Sequence, residues 1–156
     1  LIKNHYRVTN YYQARQIRLE LDNDYRVQAT KLPDIFEALY YRTDLYYDRH
    51  IFDELTFIGD IQKYFVYVME SNMTNESDKL TDLLILYYEK FLSQLDNQIL
   101  SPDIKRKLAA SLIDQLSKFD RYKMPGHDAE NNLTRFSNFA EVQKRKLVER
   151  MANAKF

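Results

Sequence analysis

The sequence predicts an all-α fold, packed as one irregular bundle of roughly five or six helices over residues 1–156. Three observations predict it. The chain of 156 residues holds only 2 Gly and 3 Pro, too few for the tight turns that sheets require. Apolar side chains recur at intervals of three and four along most of its length, the period of a helix with one buried face. Hydrophobic residues make up 45% and charged residues 29%, a balance that supports a real core rather than disorder.

The segment Leu1 to Thr9 reads as loose, with Thr9 or Asn10 as a cap. A helix from Tyr11 would carry Tyr12, Ile17, Leu19 and Leu21. Pro33 reads as the first residue inside the next helix, where its missing N–H costs nothing. Asp34 and Glu37 place negative charge at that N-terminus, as the helix dipole favours. Ile35, Phe36, Leu39 and Tyr40 follow at helical spacing, and Leu45, Tyr46 and Tyr47 extend the same face. A second central helix is expected to open near Asp53, after a joint at Arg49-His50-Ile51-Phe52. Its stripe is Ile58, Ile61, Phe65, Val68 and Met69. Gly59 lies within it and costs about 1 kcal/mol against alanine, which suggests either a close helix approach or a tolerated loss.

Ser71 to Ser77 is polar and reads as a loop, with Thr74 or Ser77 capping the following helix. Leu80, Leu84, Tyr87, Phe91 and Leu95 give that helix the clearest stripe in the chain. Ser101-Pro102-Asp103 is a cap followed by proline at the first helical position. Ile104, Leu108, Leu112, Ile113, Leu116 and Phe119 form the next stripe. Met124-Pro125-Gly126 is the strongest break. Residues 127–156 are expected to form a hinged C-terminal helix with Leu133, Phe136, Ala140 and Leu147 on one face and Gly126 to Asn132 as the hinge. That helix is expected to pack on the bundle or to reach out to a partner.

Composition excludes several chemistries. There are 0 Cys, so disulfides, thiol catalysis and Cys-ligated metals are absent; this points to an intracellular setting. The triplets at Asn72, Asn75 and Asn132 match the glycosylation pattern by chance composition. No apolar run of about 18 residues is present, so no membrane span is expected. Leu1 in place of Met suggests a processed product or a piece of a longer chain. His5, His50 and His127 are remote from one another and fit no metal spacing. Two glycines cannot build a glycine-rich phosphate loop, so no cofactor or metal site is expected, and the chain reads as a non-enzyme.

Two features point to partners instead. The chain is neutral overall, but residues 105–156 carry 12 Lys or Arg against 6 Asp or Glu, so the remainder is acidic. Such polarity can steer association. The candidate contact residues of the last helix are Lys144, Arg145, Lys146 and Arg150. The tyrosine pairs Tyr11-Tyr12, Tyr40-Tyr41, Tyr46-Tyr47 and Tyr87-Tyr88 suit a helix in which one member is core and the other sits at the boundary. Tyr46 and Tyr47 are candidate interface residues.

Glu37-Ala38-Leu39, then Leu55-Thr56-Phe57-Ile58-Gly59-Asp60, then Lys79-Leu80-Thr81, occur in an order that resembles the ribonuclease III domain over residues 33–120. The signature ERLEFLGD of that family stands here as Asp53-Glu54-Leu55-Thr56-Phe57-Ile58-Gly59-Asp60. The resemblance implies a helical domain whose active members hold divalent metal on clustered carboxylates. Thr56 replaces the signature's metal-binding Glu, Asp60 is retained, and Lys and Ala occupy the region of the later acidic pair. The resemblance therefore implies a degenerate, non-catalytic member that dimerises or contacts RNA through its basic C-terminal third. The residues themselves favour a non-catalytic protein-interaction or assembly domain, with a protein partner or self-association. An effector or dimerisation module of a transcription regulator is the remaining alternative.

Overall fold

A computed structural model describes residues 32–42, 48–60, 62, 65, 68, 74–119 and 132–156. Every regular element among the described residues is helical, and no strand is present there. The helices are α1 (Leu32–Arg42), α2 (Asp48–Asp60), α3 (Thr74–Ser93), α4 (Pro102–Ser117) and α5 (Asn132–Ala152), with a 3₁₀ turn at Gln94–Asp96 after α3. The expected helix from Tyr11, Tyr46 and Tyr47, and the expected hinge at Gly126 to Asn132 all lie, wholly or nearly so, outside the described residues. Contacts divide the chain into two compact units, Leu1–Leu84 and Ile85–Phe156, so that the boundary falls within α3.

In the first unit, α1 opens one residue ahead of Pro33, with Asp34 in its first turn. Phe36 is fully buried, and its ring meets Phe65 edge-on at 5.1 Å between centroids, the preferred geometry for two aromatic quadrupoles. Helix α2 starts at Asp48 rather than near Asp53, and the supposed joint Arg49 to Phe52 is its first turn. The reason is visible in the spacing. Ile51, Leu55 and Ile58 lie four and three residues apart and are all buried, so the stripe begins a turn earlier than Asp53. Gln62, Phe65 and Val68 are also helical and buried. Gly59 is half-buried within α2.

The expected loop also yields part of its length to helix. Residues 74–77 belong to α3, and Ser77 is an interior position rather than a cap. Ser77 sits three and seven residues ahead of Leu80 and Leu84, which places it on the buried stripe. Its carbonyl accepts a 2.8 Å bond from the Thr81 hydroxyl, which satisfies a side chain that is itself fully buried.

Lys79 ties α3 to the start of α1. Its Nζ lies 2.6 Å from Asp34 Oδ1 and 3.4 Å from Glu37 Oε2. The hydrogen bond to Asp34 chiefly, and then the charge of both carboxylates, raise the Lys79 ammonium above the ordinary lysine value of 10.5. A raised pKa means that the folded state holds this proton more tightly. The pair's contribution is therefore complete below the ordinary lysine pKa and is lost as pH rises through the folded one. We expect the difference in unfolding midpoint between the native chain and Lys79→Met to shrink as pH rises above the ordinary lysine value. Denaturant melts across that rise check it; a difference that grows with pH contradicts it.

In the second unit, α3 contributes Tyr87, Tyr88 and Phe91, each with no exposure, and the 3₁₀ turn contributes Leu95. Asn97 shapes the descent into α4: its backbone N–H donates to Gln94 O at 3.1 Å, and its Oδ1 accepts from Ile99 N at 3.0 Å. Ser101 then caps α4 as expected, its hydroxyl accepting from Ile104 N at 3.2 Å, with Pro102 in the first position. Of the predicted stripe, Leu108, Leu112, Leu116 and Phe119 are buried, while Ile104 and Ile113 are half-buried.

The last helix packs against α4. Phe119 and Phe136 meet edge-on at 4.5 Å, and the Ser137 hydroxyl donates to Phe119 O at 3.4 Å. At the opposite end Arg150 reaches the turn that precedes α4, at Leu95 and Asp96. The end of α4 thus lies beside the start of α5, and the two run antiparallel. Leu133, Phe136, Ala140 and Leu147 are buried, the expected face.

Helix α5 ends in a tight C-cap. Ala154 N donates to Met151 O at 3.1 Å and Lys155 N to Arg150 O at 3.1 Å, the paired bonds of a Schellman motif. The motif places Ala154 at a φ of 51°, where a β-carbon costs about 1 kcal/mol and glycine does not. Ala154→Gly is expected to raise stability by up to about 1 kcal/mol, read as a shift in denaturation midpoint at constant slope.

Candidate interaction surface

The second unit carries an open groove of about 330 Å³ between the end of α3 and α5. Leu92, Leu95 and Leu147 form its apolar part, and Glu89, Asp96, Lys146 and Arg150 supply charges of both signs. The helical period creates this mixture. Leu92 and Leu95 are on or next to the stripe of α3, and Leu147 is on the stripe of α5, while residues one position away fall at the rim. An apolar floor with a charged border is the general pattern of a protein contact surface.

The predicted contact residues are placed differently from one another. Arg145 and Lys146 are exposed and Lys144 is half-buried. Lys144 sits three residues before Leu147 and four after Ala140, so the buried face takes it in. Arg150 is held by its own chain. Its Nη2 donates to Leu95 O at 3.1 Å and to Asp96 Oδ1 at 2.9 Å, and its Nε donates to Lys155 O at 2.8 Å. The guanidinium also lies 5.1 Å from the Phe156 ring centroid, within cation–π range. Arg150 thus fastens the end of α5 to the turn after α3. Only its partners in space distinguish it from Arg145, and sequence gives no sign of them. Tyr46 and Tyr47 lie outside the described residues.

The described tyrosine pairs divide. Tyr40 is half-buried and Tyr41 is 76% exposed, the core-and-boundary arrangement that adjacent helical positions predict. Tyr87 and Tyr88 depart from it, since both are fully buried. Burial of Tyr88 is made possible by Gln115, whose Oε1 accepts the phenol hydrogen at 3.0 Å. Gln115 is the buried polar position of α4 that an apolar-stripe reading passes over.

Several apolar side chains face outward where no stripe predicts them. Ile99 is 75% exposed, and Val142 and Val148 are exposed on α5 on either side of Arg145. Among the described residues no three His, Asp or Glu side chains stand together as metal ligands. No helix there is long and apolar enough to cross a membrane. The side chain of Asp60, which ends α2, is not among those described. No family model, curated protein or solved structure matches the chain.

Proposed function

We propose that the chain is a non-catalytic, helical protein-interaction domain that serves assembly, built as one irregular bundle of about five or six helices. The observation that carries this reading is the coexistence of a sealed core with outward aliphatic and aromatic side chains. In the second unit Ile99, Val142 and Val148 are exposed while Leu108, Leu112, Leu116, Leu133, Phe136, Ala140 and Leu147 are buried, and in the first unit Tyr41 is about three-quarters exposed. A contiguous exposed apolar patch with a polar rim is what a protein partner covers. The groove adds a second apolar surface with a charged rim. An effector module would instead use a pocket lined from α1 and α2, and the groove described here lies against α5.

Light-scattering mass on the purified chain tests the proposal, with and without a generic duplex RNA, at low and moderate salt. A mass unaffected by RNA is expected. A complex that forms with RNA only at low salt would replace this reading with that of a degenerate nuclease-like domain, since phosphate contacts weaken steeply with salt.

A further inference from the structure

The two compact units carry equal and opposite charge. Residues 1–84 hold 14 Asp or Glu against 10 Lys or Arg, a net of −4, and residues 85–156 hold 9 against 13, a net of +4. The positive charge of the second unit is also concentrated. Lys105, Arg106 and Lys107 occupy the first turns of α4, and Lys144, Arg145 and Lys146 lie in the second half of α5. These triplets are almost forty residues apart in sequence, yet the antiparallel pairing of α4 and α5 brings them toward the same end of one helical hairpin. Phe119 against Phe136 fixes one end of that pairing, and Arg150 against Leu95 and Asp96 fixes the other. Arg106, Lys107, Arg145 and Lys146 are exposed.

Beside the bases lie Val142 and Val148, exposed by 38% and 50% and placed three residues before and after Arg145. Adjacent turns of a helix are neighbours at that spacing, so the surface combines charge with aliphatic area. In the first unit, α3 presents Asp78 and Asp82, four residues apart on one face and both exposed.

We propose that the basic end of the α4–α5 hairpin is a docking surface for a second copy of this chain, which meets it with the acidic face of α3 at Asp78 and Asp82. The inference rests on the protein-interaction reading and names its partner. Matched charge is the ground for choosing a second copy over a nucleic acid. The opposite net charge is carried by the same chain, and among the described residues none of the exposed large apolar side chains of this unit is aromatic, so none of those offers a base a stacking platform. Association of this kind is steered and held by electrostatic complementarity.

Sedimentation velocity on the full chain tests it, at about 0.1 M and about 1 M salt, where the screening length falls from about 10 Å to about 3 Å. Dimers or larger species are expected at the lower salt, with the apparent Kd rising about tenfold or more at the higher. Arg145→Glu with Lys146→Glu should leave monomers, and so should Asp78→Lys with Asp82→Lys. Mixing the two variants should restore a complex, because each supplies the surface the other has lost; this rescue also excludes misfolding as the cause. A chain that is monomeric at every salt overturns the inference while leaving an interaction with a different protein open to the test above. Self-association that ignores salt, or variants that fail to complement, overturns the inference and keeps the protein-interaction reading. Binding of the basic end to duplex RNA without self-association overturns both.

Discussion

Phe136→Ala is expected to destabilise the chain by about 3–5 kcal/mol, the usual cost of emptying a buried phenylalanine site. Phe136 has no exposure and stands where three elements of the second unit converge. Its ring contacts Phe119 edge-on at 4.5 Å, Tyr88 of α3 at 5.8 Å and Phe139 at 5.7 Å between centroids. Each aromatic pair is worth about 0.5–1.5 kcal/mol beyond the burial of area, and all three are lost at once. Around a rigid aromatic cluster the cavity collapses poorly, which places the cost toward the upper part of the range. Phe139, three residues on and only half-buried, is the control. Phe139→Ala should cost clearly less. Chemical denaturation of both variants checks the pair of expectations, and equal losses would mean that Phe136 is not the centre of this core.

Tyr88→Phe is expected to cost about 1–2 kcal/mol although it removes a single oxygen. The phenol is fully buried and donates to Gln115 Oε1, and Gln115 is itself only 8% exposed. Removing the donor takes away a buried bond that water cannot replace. Gln115→Leu should cost a similar amount from the other side, since it takes the acceptor from a buried hydroxyl. Combining the two substitutions removes both partners together. The double variant should therefore be less destabilised than the two single losses added, with a coupling of about 1 kcal/mol. Additive losses would show that the two groups act independently and that the bond contributes nothing specific to the packing of α3 on α4.

Much of this structure was legible in the residues. The scarcity of glycine and proline, together with the spacing of Leu80, Leu84, Tyr87 and Phe91, determines helix throughout the described chain, because burying one face of a segment requires that period. Ser101 and Pro102 determine where α4 begins, since capping is settled by the residues at the helix end itself. The stripe of α5 is equally local. By contrast, Asp53 and Ser77 looked like helix starts, and both lie inside helices. A cap-forming side chain signals a helix end only when no apolar stripe runs through it, and Ile51 and Leu80 carry the stripe past both.

The interaction residues show the sharpest division. Sequence alone determined that the last third is basic and that the rest is acidic, because charge is a property of composition. It could not tell Arg150, engaged with Leu95, Asp96, Lys155 and Phe156, from Arg145, which is exposed. Nor could it bring Lys105 to Lys107 toward the same end as Lys144 to Lys146, or reveal that Tyr88 is buried beside Gln115. Each of these depends on contacts between residues far apart along the chain. Such contacts are selected by how the helices pack, and the period of a single helix holds no information about its partner.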